Sequence, residues 1–275
     1  MSGHSFAILD VFTDTALSGN QLGVFPDGAE IDESHYQPLA KELGFSETVF
    51  VLPSEDATAR VRIFTPTTEL PFAGHPVLGT AIYLAARAGS DSVSLETDAG
   101  TVPLTIERAS VGRMNQPVPE WSPVSEGPEL LAALGVRESV LPIEEYALGP
   151  RPIFVTLDSP ETVARLRPDQ ERLARFPNAI SCIAADGDRW KARVFAPALG
   201  MAEDAATGSA AGPMAMHLAR HGRVGFGEEI EIHQGVEIGR PSVLFATAFG
   251  TAKAVESIEV KGGAVVVAEG RFTLP

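Results

Sequence analysis

The chain has 275 residues, with 21 Lys and Arg against 36 Asp and Glu, a formal charge of −15, and 44% hydrophobic residues. This composition excludes a mostly disordered chain and makes a phosphate backbone a poor partner. The single cysteine, Cys182, excludes internal disulfides and multi-cysteine metal clusters.

In chain order, a strand in FAILDVF leads to a helix near 33–43, then to strands near 47–52 and 59–65. A glycine turn opens a small-residue helix over 76–88, and strands near 92–96 and 101–107 follow. The stretch NQPVPEWSPVSEGP, rich in Pro and Ser, reads as a linker. Beyond it the order repeats: a strand in PIFVTLD, a helix near 169–176, strands near 179–184 and 190–196, a helix over 210–221, and strands near 229–233 and 242–249. AVVVAEGRFTL reads as one more strand. No apolar run reaches the roughly 18 residues of a membrane span. The opening MSGHSFAILDVFT has no basic leader and contains Asp10, so no secretory signal is expected and the cytoplasm is the expected compartment.

The repeat extends to individual residues. RIFTP at 62–66 recurs as RVFAP at 193–197, and Gly74-His75-Pro76 aligns with Gly208-Ser209-Ala210. The second copy carries three more residues between its proline and its glycine turn. The predicted domains are therefore 1–118, joined by a C-terminal strand at 262–275, and 119–261. Strands alternating with an Ala-rich helix predict an α+β fold, each half a sheet wrapped around that helix.

Pro76 suits a first helical position, which makes His75 the expected N-cap, and Ser209 is its counterpart. Helix starts expose N–H donors to anions. If the halves face each other, both starts point into one cleft, where a small anionic substrate would bind. The chain lacks GxGxxG, HExxH and GxSxG, and Thr80 stands where a phosphate loop needs lysine. The halves differ where chemistry would specialise. The repeat aligns Glu47 with Asn178 and His75 with Ser209, while Asp204 lies in the lengthened segment. Glu47, among Phe45, Val49 and Phe50, is expected to have a raised pKa suited to acid–base work. His217 and His221 are spaced for a metal, but no third ligand is evident, so a helix face is expected and no metal. Cys182 reads as a buried hydrophobe, His4 and His35 as surface residues, and His233 as a weaker site candidate.

DVFTDTALSGNQLGVF, GFSETVFV, RIFTPTTELPFAGHPVLGTA, EDAATGSA and HQG together resemble the PhzF family, the phenazine-biosynthesis isomerase and its relatives. The resemblance implies a diaminopimelate epimerase-like fold of two pseudo-symmetric domains, cofactor-free chemistry between them, and often a homodimer. It places the acid–base glutamate at Glu47, a histidine at His75, an aspartate at Asp204 and a substrate-binding serine at Ser209. Gly74 and Gly208 supply backbone turns, and Asn20 matches a Gly-Asn pair. GNQLGVF departs from the usual GNPVAVF, which bears on the contacts of Asn20. The epimerases of this fold use two cysteines, whose places are Ala73 and Thr207 here, so a two-thiol mechanism is excluded.

The expected function is an isomerase that moves a proton within a small carboxylate-bearing substrate. Glu47 removes and returns the proton, while His75, Asp204 and Ser209 orient the substrate. A two-base epimerase using Glu47 and Asp204, or a non-catalytic small-molecule-binding relative, are the alternatives.

Overall fold

The computed structural model describes residues 2–108, 110–148 and 151–274. It divides into two compact units, one of residues up to Asn115 and again from Lys261 onward, the other Gln116–Val260. The first boundary falls at 115/116 rather than at 118/119. Gln116 belongs to the second unit, where its Nε2 donates to Gly208 O at 2.8 Å.

In the first unit the order is β1 (Ser2–Val11), β2 (Asn20–Phe25), α1 (Tyr36–Leu43), β3 (Glu47–Leu52), β4 (Ala59–Phe64), β5 (Glu69–Leu70), α2 (Gly74–Ala88), β6 (Ser92–Thr97), β7 (Gly100–Arg108) and β8 (Val111–Gln116). β1 pairs antiparallel with β2, β2 parallel with β3, and β3 antiparallel with β4. The sheet continues from β4 to β6 in parallel, then antiparallel through β7 and β8. Ala264 N–H donates to Ser110 O, and residues 264–274 pair with β1. The sheet thus curls around α2, which touches β1, β2, β3, β6 and β7. Every residue of α2 from Gly74 to Tyr83 is buried, because no side of a central helix faces water. Outside the sheet α1 packs on a stack of Phe25, Phe50 and Tyr36.

The second unit runs β9 (Glu120–Pro123), α3 (Gly127–Leu134), β10 (Glu144–Ala147), β11 (Ile153–Thr156), α4 (Pro160–Arg165), α5 (Gln170–Leu173), β12 (Ile180–Asp186), β13 (Arg189–Ala196), β14 (Met201–Asp204), α6 (Gly208–Arg220), β15 (Glu229–Gln234) and β16 (Ser242–Thr251). β17 (Ala254–Leu274) belongs to this unit up to Val260. β10 pairs antiparallel with β11, β11 parallel with β12, β12 antiparallel with β13, and β13 parallel with β15. This is the first unit's sequence of pairing senses, so β10 to β16 repeat β1 to β7, and α6 repeats α2.

Three expectations change. The sequence repeat aligns PIFVTLD with FAILDVF, but its strand β11 is the counterpart of β2, since both lie parallel to the next strand. Apolar composition alone does not carry strand direction. The predicted linker contains β9, which pairs with β10, and the start of α3. Both helices begin two residues earlier than expected. Ala73 and Thr207 are the N-caps, and Val77 N–H donates to Ala73 O, so His75 and Ser209 sit inside the first turn. Pro76 tolerates any first-turn position because those N–H groups have no partner within the helix.

Candidate active site

In the first unit, Asn20 opens β2 after a loop that turns sharply. Gly19 has φ +67, and a Cβ there would lie 2.4 Å from Val11 O. Phe12 and Leu17 also take positive φ, 63 and 67, an uncommon conformation for bulky residues. Leu17 N–H donates to Asp10 Oδ2 at 2.6 Å. Asn20 is buried and accepts from Ser46 Oγ at 3.0 Å. Ser46 directly precedes Glu47, so the loop and the start of β3 are tied together.

Glu47 is 9% exposed. Burial pushes its carboxyl up to about 7, opposed by a hydrogen bond from Ser46. Its Oε2 lies 3.4 Å from Nε2 of His75, itself buried in the first turn of α2. A carboxyl that titrates near neutrality, in contact with an imidazole and shielded from water, can take and return a proton at working pH.

The repeat counterpart of Glu47 is one residue away from the expected one. Thr48 pairs with Phe64 and Ile180 with Phe195, which aligns Glu47 with Ala179. The amide of Asn178 is already committed, donating to Glu145 Oε2 at 2.6 Å and Arg151 O at 2.7 Å.

In the second unit, Asp204 closes β14 and is buried. Thr207 Oγ1 donates to Asp204 Oδ2 at 2.6 Å. Gln234 Nε2 donates to Asp204 O at 2.9 Å and to Thr207 Oγ1 at 3.0 Å, and Gln234 Oε1 accepts from Thr207 N–H at 3.2 Å. Gly208 begins α6, and Ser209 beside it is half-buried. Thus Glu47, His75, Asn20 and Gly74 gather in one unit, and Asp204, Gly208 and Ser209 in the other. Gln234 was missed as a functional residue, although HQG carried it. His233, the candidate in that motif, pairs instead with Glu231 at 2.5 Å. Gly235 follows with φ +77, its Cβ position 2.6 Å from Ala205 O.

The structure departs from expectation at His217, Glu144 and His4. His217 is fully buried rather than on a partly exposed face, and a third ligand type is present. Glu144 Oε2 receives His217 Nδ1 at 3.2 Å, His221 Nε2 at 3.0 Å, Arg220 Nη1 at 2.8 Å and Tyr146 Oη at 2.8 Å. Burial pushes the Glu144 carboxyl upward, but these four hydrogen bonds outweigh it and hold the group well below the usual carboxylate range. Arg220 gives the Glu144 carboxylate a positive partner within the cluster. His4 is buried, not on the surface, because β1 is covered by its neighbours. Cys182 is fully buried, which raises its thiol pKa. A groove of about 700 Å³ bordered by Glu126, Glu145, Arg172 and Arg175 contains none of the predicted catalytic or binding residues.

Known proteins match this arrangement along its whole length. The family model described as phenazine biosynthesis-like protein, PhzC-PhzF, matches residues 9–270. A protein of Pseudomonas aeruginosa named trans-2,3-dihydro-3-hydroxyanthranilate isomerase is 48% identical over 277 residues, covering 98% of this chain and all of its own. A solved PhzF-family phenazine biosynthesis protein of Bacillus anthracis superposes with a TM-score of 0.88 at 27% identity, all of both chains being covered. A probable proline racemase of Agrobacterium radiobacter shares the fold, with a TM-score of 0.66 at 13% identity over 99% of this chain and 93% of its own. The chain belongs to the PhzF family. It is an isomerase of the PhzF type, with the α+β, epimerase-like fold. Among the described residues no helix is long and apolar enough to cross a membrane.

Proposed function

We propose that this isomerase shifts a proton within a small, unsaturated, carboxylate-bearing ring of the trans-2,3-dihydro-3-hydroxyanthranilate type. The carrying observation is the buried Glu47 carboxyl 3.4 Å from His75 Nε2, pushed up to about 7 by that burial. The ionised carboxylate takes a proton from one ring carbon, and the electron pair moves along the conjugated system. The same carboxyl then returns the proton to another carbon, so a double bond migrates and nothing is oxidised or reduced. A redox-neutral proton shift needs no cofactor. His75 holds the Glu47 carboxyl and steadies the dienol-like intermediate. Asp204 and Ser209 bind and orient the substrate, with Asn20 and the helix starts at Gly74 and Gly208 accommodating its polar groups. A homodimer is part of this proposal, supported by the exposed Val118 and Trp121 on and beside β9. So is a cytoplasmic location, supported by a single free, buried cysteine.

The test is turnover of trans-2,3-dihydro-3-hydroxyanthranilate in D₂O, wild type against Glu47→Gln. Gln keeps the shape and cannot carry the proton, so turnover should fall by about 10²–10⁴-fold. Undiminished exchange in the variant rules Glu47 out as the base.

A further inference from the structure

The repeated Arg-x-Phe of the two units marks a shared device. In the first unit Arg62 lies on β4 and Glu69 on β5. Nε donates to Oε1 at 2.7 Å and Nη2 to Oε2 at 2.9 Å, a two-pronged pair. In the second, Arg193 lies on β13 and Glu203 on β14, with the same pairing at 2.9 and 2.7 Å. Each guanidinium also sits near the phenylalanine two residues on, Phe64 at 5.3 Å and Phe195 at 4.9 Å. Each glutamate precedes its helix glycine, Gly74 or Gly208, by the same five positions. The three extra residues of the second copy therefore lie between the clamp partners, ten positions apart against seven, and leave the distance from glutamate to helix unchanged.

Strand geometry says what the second clamp holds. Val194 pairs with Asp204, so those two side chains share one face of the sheet. Arg193 and Glu203 flank that pair, one residue away on each strand, where the β13–β14 register shifts before Ala196 pairs with Met201. The Arg193–Glu203 pair is buried, 6% and 9% exposed at the side chains. Arg193 Nη1 additionally donates to Leu166 O at 2.9 Å and to Val163 O and Ala164 O at 3.3 Å, which fastens it to the end of α4. Gln234 holds the Asp204 carbonyl separately. A buried ion pair is weak as a source of stability, since desolvation offsets most of the attraction. What a two-pronged pair does supply is direction: the fork fits a carboxylate in one plane. Leu70 stands where the second unit has Asp204, so the first clamp has no acidic residue at that position, and its further acidic contact is Glu33, at 2.7 Å from Arg62 Nη1.

We propose that Arg193 and Glu203 are positioning residues that set the orientation of Asp204, through a clamp inherited in both units and put to use in the second. The proposal rests on the role given above to Asp204.

The experiment combines Glu203→Gln, Arg193→Lys and Asp204→Asn, singly and as the Glu203→Gln/Asp204→Asn double variant, with Glu69→Gln as internal comparison. Lys keeps the charge of Arg193 without its fork, and Gln keeps the shape of Glu203 without its charge. Amide hydrogen exchange reports the clamp without any substrate. Exchange should quicken over 200–208 in Glu203→Gln and Arg193→Lys, and over 69–76 only in Glu69→Gln. With trans-2,3-dihydro-3-hydroxyanthranilate in D₂O, Glu203→Gln should lower kcat/KM by about 10- to 100-fold, the size expected of a small misplacement. It should cost little more in the Asp204→Asn background, because its effect passes through Asp204. Full multiplication of the two losses overturns the proposal, as does unchanged exchange over 200–208. If Asp204→Asn alone keeps full turnover, the role of Asp204 fails and the positioning proposal with it, while the exchange pattern still reports whether the clamp exists.

Discussion

Glu47→Gln has a second consequence, on stability, that follows from burial alone. Burial raises the Glu47 carboxyl from 4.5 to about 7. Below about pH 4.5 the group is protonated folded and unfolded, and its ionisation costs nothing. Between 4.5 and 7 the folded chain keeps a proton that the unfolded chain has released, so stability falls as pH rises. Above 7 the cost levels off at about 3 kcal/mol, the free energy of that displacement. Gln carries no charge to bury and keeps the carbonyl that Ser46 can reach. The variant should therefore match wild type at pH 4.5 and exceed it by up to about 3 kcal/mol at pH 8. Urea midpoints at these two pH values measure the difference. An advantage of equal size at both values, or none at pH 8, refutes the argument that burial sets this pKa. A group whose ionisation weakens the fold while its protonated form does not is a cost that activity can justify.

The same titration predicts a kcat/KM that rises with pH through an apparent pKa of about 7, because the base must be ionised; Glu47→Gln should abolish that limb. Glu144→Gln removes the anion to which His217, His221, Arg220 and Tyr146 donate, and should cost about 3–5 kcal/mol at pH 7 by denaturant midpoint. Since the folded carboxyl is held below its unfolded value, that stabilisation is complete above the unfolded pKa, and the loss should shrink as pH falls below about 4. Gly235→Ala sets a Cβ 2.3 Å from Arg240 O at φ +77; it should lower stability by at least about 1–3 kcal/mol and quicken amide exchange over 204–208. Cys182, fully buried with its thiol pKa raised, should resist a thiol reagent in the native protein and react once per chain in denaturant; rapid native reaction contradicts its burial.

Much of this protein is written locally. RIFTP and RVFAP, the glycine turns at 74 and 208, and the alternation of strand and Ala-rich helix are each short-range signals, and together they fix two similar halves and a central helix in each. Residue identity at 73 and 207 excludes a thiol pair without any coordinates. The apolar flanks of Glu47 announce its raised pKa, because neighbours in sequence on a doubly buried strand are also neighbours in space. The strand partners of β11, the identity of Ala179 as the true counterpart of Glu47, and the strand within 116–128 depend on pairing between distant segments, and composition does not encode pairing sense. Glu144 lies 73 residues from His217 and 77 from His221, so no spacing rule on α6 could have found it. Gln234 and Arg193 became functional candidates only when folding brought them to Asp204 and its neighbour Glu203. Hydrogen bonds and ion pairs act over a few ångströms, and which residues come that close is decided by the tertiary structure.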